Sequence, residues 1–298
     1  MDMEKRRLKL FLILAFGISW ASALVIALTG GLVNSPELIP NSGVTLALVL
    51  EASVYMWGPA LANIITRAVT KESWQNAFIS PKLKSGWPYW LAGWFGPGLA
   101  TIIGIVLFFV ILPQYYDSNF TVLRAQLETA NPGSTINPVN LVISQTVMAL
   151  LIAPILNGIS TFGEEFGWRA YLLPKLKAAM GGRKALLLSS AIWGVWHWPI
   201  IVMGHNYGLD YWGYPWLGLL VMVWFTISIG VFIGWISQKA GSVWPAVIAH
   251  GALNGIAALG MLFVNGATPM VLGPTPAGVI GCMAFTVTSA IILAKMKD

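Results

Sequence analysis

Two adjacent glutamates stand in the run Thr161-Phe162-Gly163-Glu164-Glu165-Phe166-Gly167-Trp168-Arg169, amid long apolar stretches. Ionisable groups at membrane depth are costly, and they persist mainly where they do chemistry or pair with another group. Glu165 and Arg169 are four apart, so on a helix they share a face and can pair. Glu164 points about 100° away and need not join that pair. One carboxylate is then held by a guanidinium and the other is left reactive. Trp193-Gly194-Val195-Trp196-His197 and His250-Gly251-Ala252-Leu253-Asn254 each add an i, i+4 pair on one helical face. Glu164, His197, His250 and Asn254 therefore come from three separate helices.

These side chains suffice to hydrolyse an amide. A carboxylate suitably placed is a general base toward water. A neutral imidazole beside it shares or orients that water. A second imidazole with a carboxamide donates hydrogen bonds to a developing oxyanion. Glu164, His197 and His250 would also suit zinc, as in His₂Glu sites. No His-Glu-x-x-His helix is present, which excludes the usual zincin arrangement. The expected mechanism uses no cofactor, with zinc as the alternative.

The elements that position these residues are membrane helices. The chain is 57% hydrophobic and only 9% charged over 298 residues, against roughly 25% charged in ordinary globular domains. Lipid must cover most of such a surface. Apolar segments begin near Leu8, Gly43, Trp87, Val139, Ala185, Trp216, Val243 and Leu272, each about the roughly 20 residues that a span requires. The expected fold is all-α: a single polytopic integral membrane domain over residues 1–298, with about eight transmembrane helices. The stretch Leu8 to Leu28 exceeds the roughly 7–15 apolar residues of a signal peptide and reads as an uncleaved first helix.

Under that topology, 16 of the 17 basic residues fall on one side and Arg124 alone on the other. The positive-inside rule makes the basic side cytoplasmic and puts both termini there. The loop from Pro113 to Pro138, with the breaker Asn131-Pro132-Gly133-Ser134, is expected outside, folded over the membrane surface. The aromatic loop from Gly204 to Pro215 is expected at the headgroup level. The basic balance is thus a topology signal; the expected partners are the lipid bilayer and a membrane-associated peptide or protein, with no nucleic acid. Cys282 is the only cysteine, so neither an intrachain disulfide nor a thiolate metal site is available.

Counting along the helices tests whether the polar groups meet. His197 lies about 20 Å from Lys184, His250 about 13 Å from Gly241, and Glu164 about 16 Å from Lys175, at 1.5 Å per residue. All three fall in one layer of the inner half of the bilayer, which predicts a common cavity open to the cytoplasm. Outside this set, His205 beside Asn206 reads as a hydrogen-bonded helix–helix contact. Glu51 reads as a buried partner of another polar group, or as a further lining of the cavity. Glu165–Arg169 taken alone reads as a structural pair.

Glu164-Glu165-x-x-x-Arg169, Trp193-x-x-x-His197 and His250-x-x-x-Asn254 together resemble the three motifs of the CPBP intramembrane proteases. These are the CAAX-protease and bacteriocin-processing relatives, which include the type II CAAX prenyl endopeptidases. The flanks Phe166-Gly167-Trp168-Arg169-Ala170-Tyr171-Leu172-Leu173-Pro174 and Trp193-Gly194-Val195-Trp196-His197-Trp198-Pro199 resemble the prokaryotic branch, which implies a prokaryotic cell membrane. The resemblance covers 139–257 as a catalytic core. It implies an intramembrane endopeptidase in which Glu164 activates water with help from His197, and His250 and Asn254 form the oxyanion hole. Glu165 and Arg169 then shape the site and engage substrate. The chain departs from the pattern at Trp193, where the family usually has Phe; an aromatic role is kept. Prenylated CAAX tails are cleaved by the eukaryotic and some archaeal members, while most prokaryotic relatives act on other peptides or on substrates not yet known. Two other functions use the same polar groups: a proton-coupled membrane transporter, which broken helices and repeated halves would favour, and a non-catalytic membrane scaffold. No internal repeat is visible in the sequence.

Overall fold

The computed structural model describes residues 3–130, 132–133 and 135–296. Asn131 and Ser134 of the predicted breaker, and Lys297 near the C-terminus, lie outside the described residues. The described chain is almost wholly helical, with one short hairpin, β1 (Glu37–Ile39) against β2 (Val44–Thr45). It is an integral membrane protein of the all-α, polytopic class.

Among the described residues, five segments are long and apolar enough to cross a bilayer: Met3–Leu28, Leu46–Val69, Leu83–Ile111, Trp216–Ala240 and Trp244–Phe263. The first is α1. The second comprises α2 (Leu46–Leu50), a π-helical turn (Glu51–Tyr55) and α3 (Gly58–Val69). The third is α4, followed by a small surface helix, α5 (Thr121–Ala130). Of the eight expected spans, three are not among these five. The one expected from Val139 is broken into α6 (Pro138–Leu151), α7 (Ala153–Leu156), α8 (Gly158–Gly167), a second π-helical turn (Trp168–Leu172) and α9 (Leu173–Met180). The one expected from Ala185 is α10 (Gly182–Trp196) and α11 (Trp198–Val202), jointed at His197. The remaining full-length spans are α12 (Trp216–Ala240) and, with a short 3₁₀ extension, α13 (Trp244–Ile256).

The last expected span needs correction. It does not begin at Leu272: α14 runs only Met283–Lys295, and the residues before it form turns. Pro274 and Pro276 with Gly273 and Gly278 deny that stretch a helical ladder.

The helices alternate in direction, so the chain has two ends. At the basic end, Lys175 Nζ reaches Glu4 and Glu72 at 2.7 Å each, Tyr171 donates to Glu72 at 2.9 Å, and Val243 N–H reaches the Phe78 carbonyl at 2.9 Å. At the far end, Tyr116 bridges to Val264, and Tyr207 donates to the Ala277 carbonyl at 2.9 Å. The Pro113 to Pro138 loop sits at this far end, with the Asp117 N–H bonded to the Phe263 carbonyl and Leu123 buried.

Close helix contacts depend on missing side chains. A Cβ at Gly167 would lie 2.3 Å from the Pro59 Cβ on α3, and one at Gly251 would lie 2.6 Å from the Pro154 carbonyl oxygen on α7. Only glycine lets these backbones approach, the usual device where lipid supplies no hydrophobic drive between helices.

Candidate active site

Helix α8 carries both glutamates and is fixed from two sides. Asn63 on α3 donates to the Phe166 carbonyl at 2.8 Å. From α8, Thr161 donates to the Val247 carbonyl on α13 at 3.0 Å. Just before α8, Asn157 donates to the Gly251 carbonyl at 3.0 Å, and Trp94 donates to the Leu150 carbonyl at 2.8 Å. Polar groups freed by the broken ladder thus find partners within the protein, as apolar surroundings require. The break places Glu164 and Glu165 one turn before a π-helical segment, a distortion that recurs at functional sites.

Helix α10 ends at Trp196, which leaves its carbonyl without a helical partner. Pro199 supplies no N–H to continue the ladder. Tyr55 and Trp20 both donate to the Trp196 carbonyl, at 2.5 and 3.0 Å. That junction fixes His197, whose Nδ1 contacts the Trp193 carbonyl at 2.8 Å. A carbonyl only accepts, so Nδ1 carries the hydrogen; in the neutral ring Nε2 is then the acceptor.

The two carboxylates are held differently. Glu165 is fully buried and receives Arg169 Nη1 at 3.1 Å and His250 Nδ1 at 2.9 Å on the same oxygen. The expected Glu165–Arg169 pair is present, and His250 joins it. Glu164 instead accepts from the Trp193 indole at 2.6 Å. Trp193 is buried, lies edge-to-face with both imidazoles at 5.3 and 5.5 Å, and has the Arg169 guanidinium 4.1 Å over its ring. A phenylalanine could stack there but could not bond Glu164. The departure from the family pattern therefore adds a contact that aromaticity alone did not suggest.

Glu164, Trp193, His197, His250 and Asn254 all line one cavity of about 390 Å³. Asn254 is the most exposed of them, one helical turn beyond the buried His250. Among the described residues, no three His, Cys, Asp or Glu side chains are grouped closely enough to hold a metal ion. As placed, Glu164, His197 and His250 do not form a ready-made zinc set.

The cavity was expected to open toward the basic side, yet its lining extends the other way. Its walls run on to Glu51, His205, Asn206, Met270 and Thr275, all toward the far end. The basic side of the site is filled by Trp168, Tyr171, Leu172 and Leu173, each almost fully buried, with Phe11 packed against Trp168. Counting residues located the polar layer but carried no information about which wall would be missing. His197 sits only five residues from the end of α11, about 8 Å along the helix.

Sequence reading also separated two groups that the structure joins. His205 Nδ1 lies 3.3 Å from Glu51 Oε1, and both line the cavity. Glu51 is thus both a partner of another polar group and a cavity residue, while His205 belongs to the cavity as well as to its loop.

Fold and site define a polytopic helical membrane protein with a carboxylate, two imidazoles and a carboxamide around one internal cavity. Residues 139–256 match the family model described as type II CAAX prenyl endopeptidase Rce1-like, and over that stretch the resemblance seen in the motifs is borne out. A curated relative, CAAX prenyl protease 2 of Methanococcus maripaludis, is 30% identical over 93 residues, 30% of this chain and 34% of that protein. The match thus spans about a third of the curated relative's length.

Proposed function

We propose that this protein is an intramembrane endopeptidase that hydrolyses a peptide bond of a membrane-associated substrate. The observation that carries the reading is the convergence of Glu164, His197, His250 and Asn254 on one cavity. Glu164, oriented by the Trp193 indole, takes a proton from water as the water oxygen attacks the peptide carbonyl. His197 orients that water through Nε2. The carbonyl oxygen gains negative charge, and His250 and Asn254 donate hydrogen bonds to it. Glu165 helps here, because its carboxylate accepts from Nδ1–H and fixes the His250 ring; with both ring nitrogens protonated, Nε2–H is the donor turned to the oxyanion. Collapse of the tetrahedral intermediate breaks the C–N bond, and the proton on Glu164 passes to the departing amine. No step needs a metal.

The family match and the relative's name favour a lipid-associated peptide, of which a prenylated CAAX tail is one form. The proposed location is a prokaryotic cell membrane with both termini cytoplasmic, on the strength of the basic residues gathered at one end. Mass spectrometry of membranes carrying wild type or Glu164→Ala tests the activity. A substrate fragment seen with wild type and missing from the variant is the expected result; identical peptide patterns would count against proteolysis.

The interrupted helix over 138–180 lends some support to a second reading, a proton-coupled transporter. Proton flux into protein-containing liposomes, lost in Glu164→Gln without any peptide cleavage, is what that reading requires.

A further inference from the structure

The cavity has two polar poles. Glu164 and its neighbours form one, and Glu51, His205 and Asn206 form the other, with Tyr55, Ile200 and Met222 among the walls they share. Glu51 opens the π-helical turn that ends at Tyr55. Tyr55 in turn bonds the carbonyl of Trp196, beside His197. The outer carboxylate is therefore fixed relative to the inner site by one turn of backbone and one hydrogen bond.

His205 is held there by a built turn. Gly204, Asn206 and Gly208 all have positive φ, at 99°, 65° and 74°. The His205 N–H bonds the Ile200 carbonyl at 3.0 Å, and Tyr207 fastens the turn to Ala277. The Glu51–His205 contact is long for a hydrogen bond at 3.3 Å. Glu51 is partly exposed, with 19% of its side chain accessible. A carboxylate accepts several hydrogen bonds, so this one has capacity for an incoming donor.

The surrounding charge selects the donor's sign. Glu37, Asp117, Glu128 and Asp210 share the far end with Glu51, and Arg124 is the one Lys or Arg there among the described residues. None of these four lines the cavity, but an end of the molecule that carries one sign of charge raises the local concentration of the opposite sign.

We propose that Glu51, positioned by His205, is a specificity subsite that binds a lysine or arginine side chain of a peptide entering the cavity from the far end. This subsite rests on the peptidase reading for its purpose, but its ligand preference is measurable without turnover. The probes are dansylated Ala/Leu octapeptides that differ in one central residue, Lys or Glu. They are titrated against full-length protein in nanodiscs, with Glu164→Gln present throughout to prevent cleavage.

The Lys peptide is expected to bind about tenfold more tightly than the Glu peptide, a difference of about 1.4 kcal/mol. Adding Glu51→Gln should abolish the preference, and adding Glu51→Lys should reverse it. Asp210→Asn, which removes a far-end carboxylate outside the cavity, should leave it in place. A preference for the Glu peptide, no preference, or a preference that survives both Glu51 variants would overturn the subsite. So would an equal loss in Asp210→Asn, which would mark a general surface field. The near-isosteric Glu51→Gln keeps the test intact if the lysine variant does not fold. Cleavage by protein with Glu164 intact is measured in parallel. Absent cleavage with a charge preference that follows residue 51 would remove the peptidase reading and leave the subsite standing.

Discussion

At the scale of single residues, three roles are distinct: the base, the oxyanion donor and the group that orients the base. Glu164→Gln keeps the shape of the side chain but cannot take a proton, so turnover should fall to background while the protein still folds; cleavage assays with a thermal melt check both. Asn254→Ala should lower kcat by roughly 10²–10³, the cost of one oxyanion donor. Trp193→Phe installs the residue more usual in the family pattern, yet here it removes the bond to Glu164. A hydrogen bond to a charged group contributes about 1.5–3 kcal/mol, so kcat should fall about tenfold or more. An unchanged kcat would show that the indole N–H does not orient the base. Chelation addresses the remaining alternative: activity retained after exhaustive chelation is expected, whereas loss restored by added zinc would reassign Glu164, His197 and His250 as ligands. The sequence made the pairs at four-residue spacing legible, because helical periodicity puts such residues on one face. It did not reveal the Trp193–Glu164 or Glu51–His205 contacts. Those join residues 29 and 154 positions apart, and no local periodicity reports on such pairs.

At the scale of elements, the site depends on helices that stop or bend where the polar residues need to be. Apolar length predicted where spans would lie, and it succeeded for the long uninterrupted ones such as α4 and α12. It could not foresee the breaks at Ile152 and Asn157 or the two π-helical turns, since these are stabilised by distant partners such as Trp94 and Gly251. Packing at α8 gives a direct test. Gly167→Ala would drive a methyl to 2.3 Å from Pro59, whereas Gly17, mid-way along α1, has open space around its Cβ position. Overpacking of this kind costs roughly 1–3 kcal/mol. Gly167→Ala should therefore lower Tm and activity together, and Gly17→Ala should leave both near wild type. Equal melting of the two variants would mean that α3 and α8 yield more easily than their contact implies.

At the scale of the whole molecule, the cations lie at one end and the cavity leads to the other. If the basic end is cytoplasmic, the site receives its substrate from the opposite face or from the membrane itself. A cysteine introduced at Asp210 in a Cys282→Ala background should then react with an impermeant maleimide added outside intact cells, and one at Lys71 should not. The reverse pattern would invert the topology and put the cavity mouth on the cytoplasmic side. Hydrolysis inside this cavity puts an oxygen from water into the new carboxylate, and heavy-oxygen water reports that step. Membranes containing the protein are incubated in that water, and peptides are searched for a new C-terminal carboxylate carrying the heavy isotope. Such a peptide is expected with wild type and is expected to be absent with Glu164→Gln. The same labelled peptide appearing at equal rate with Glu164→Gln would contradict the assignment of Glu164 as the base that activates water.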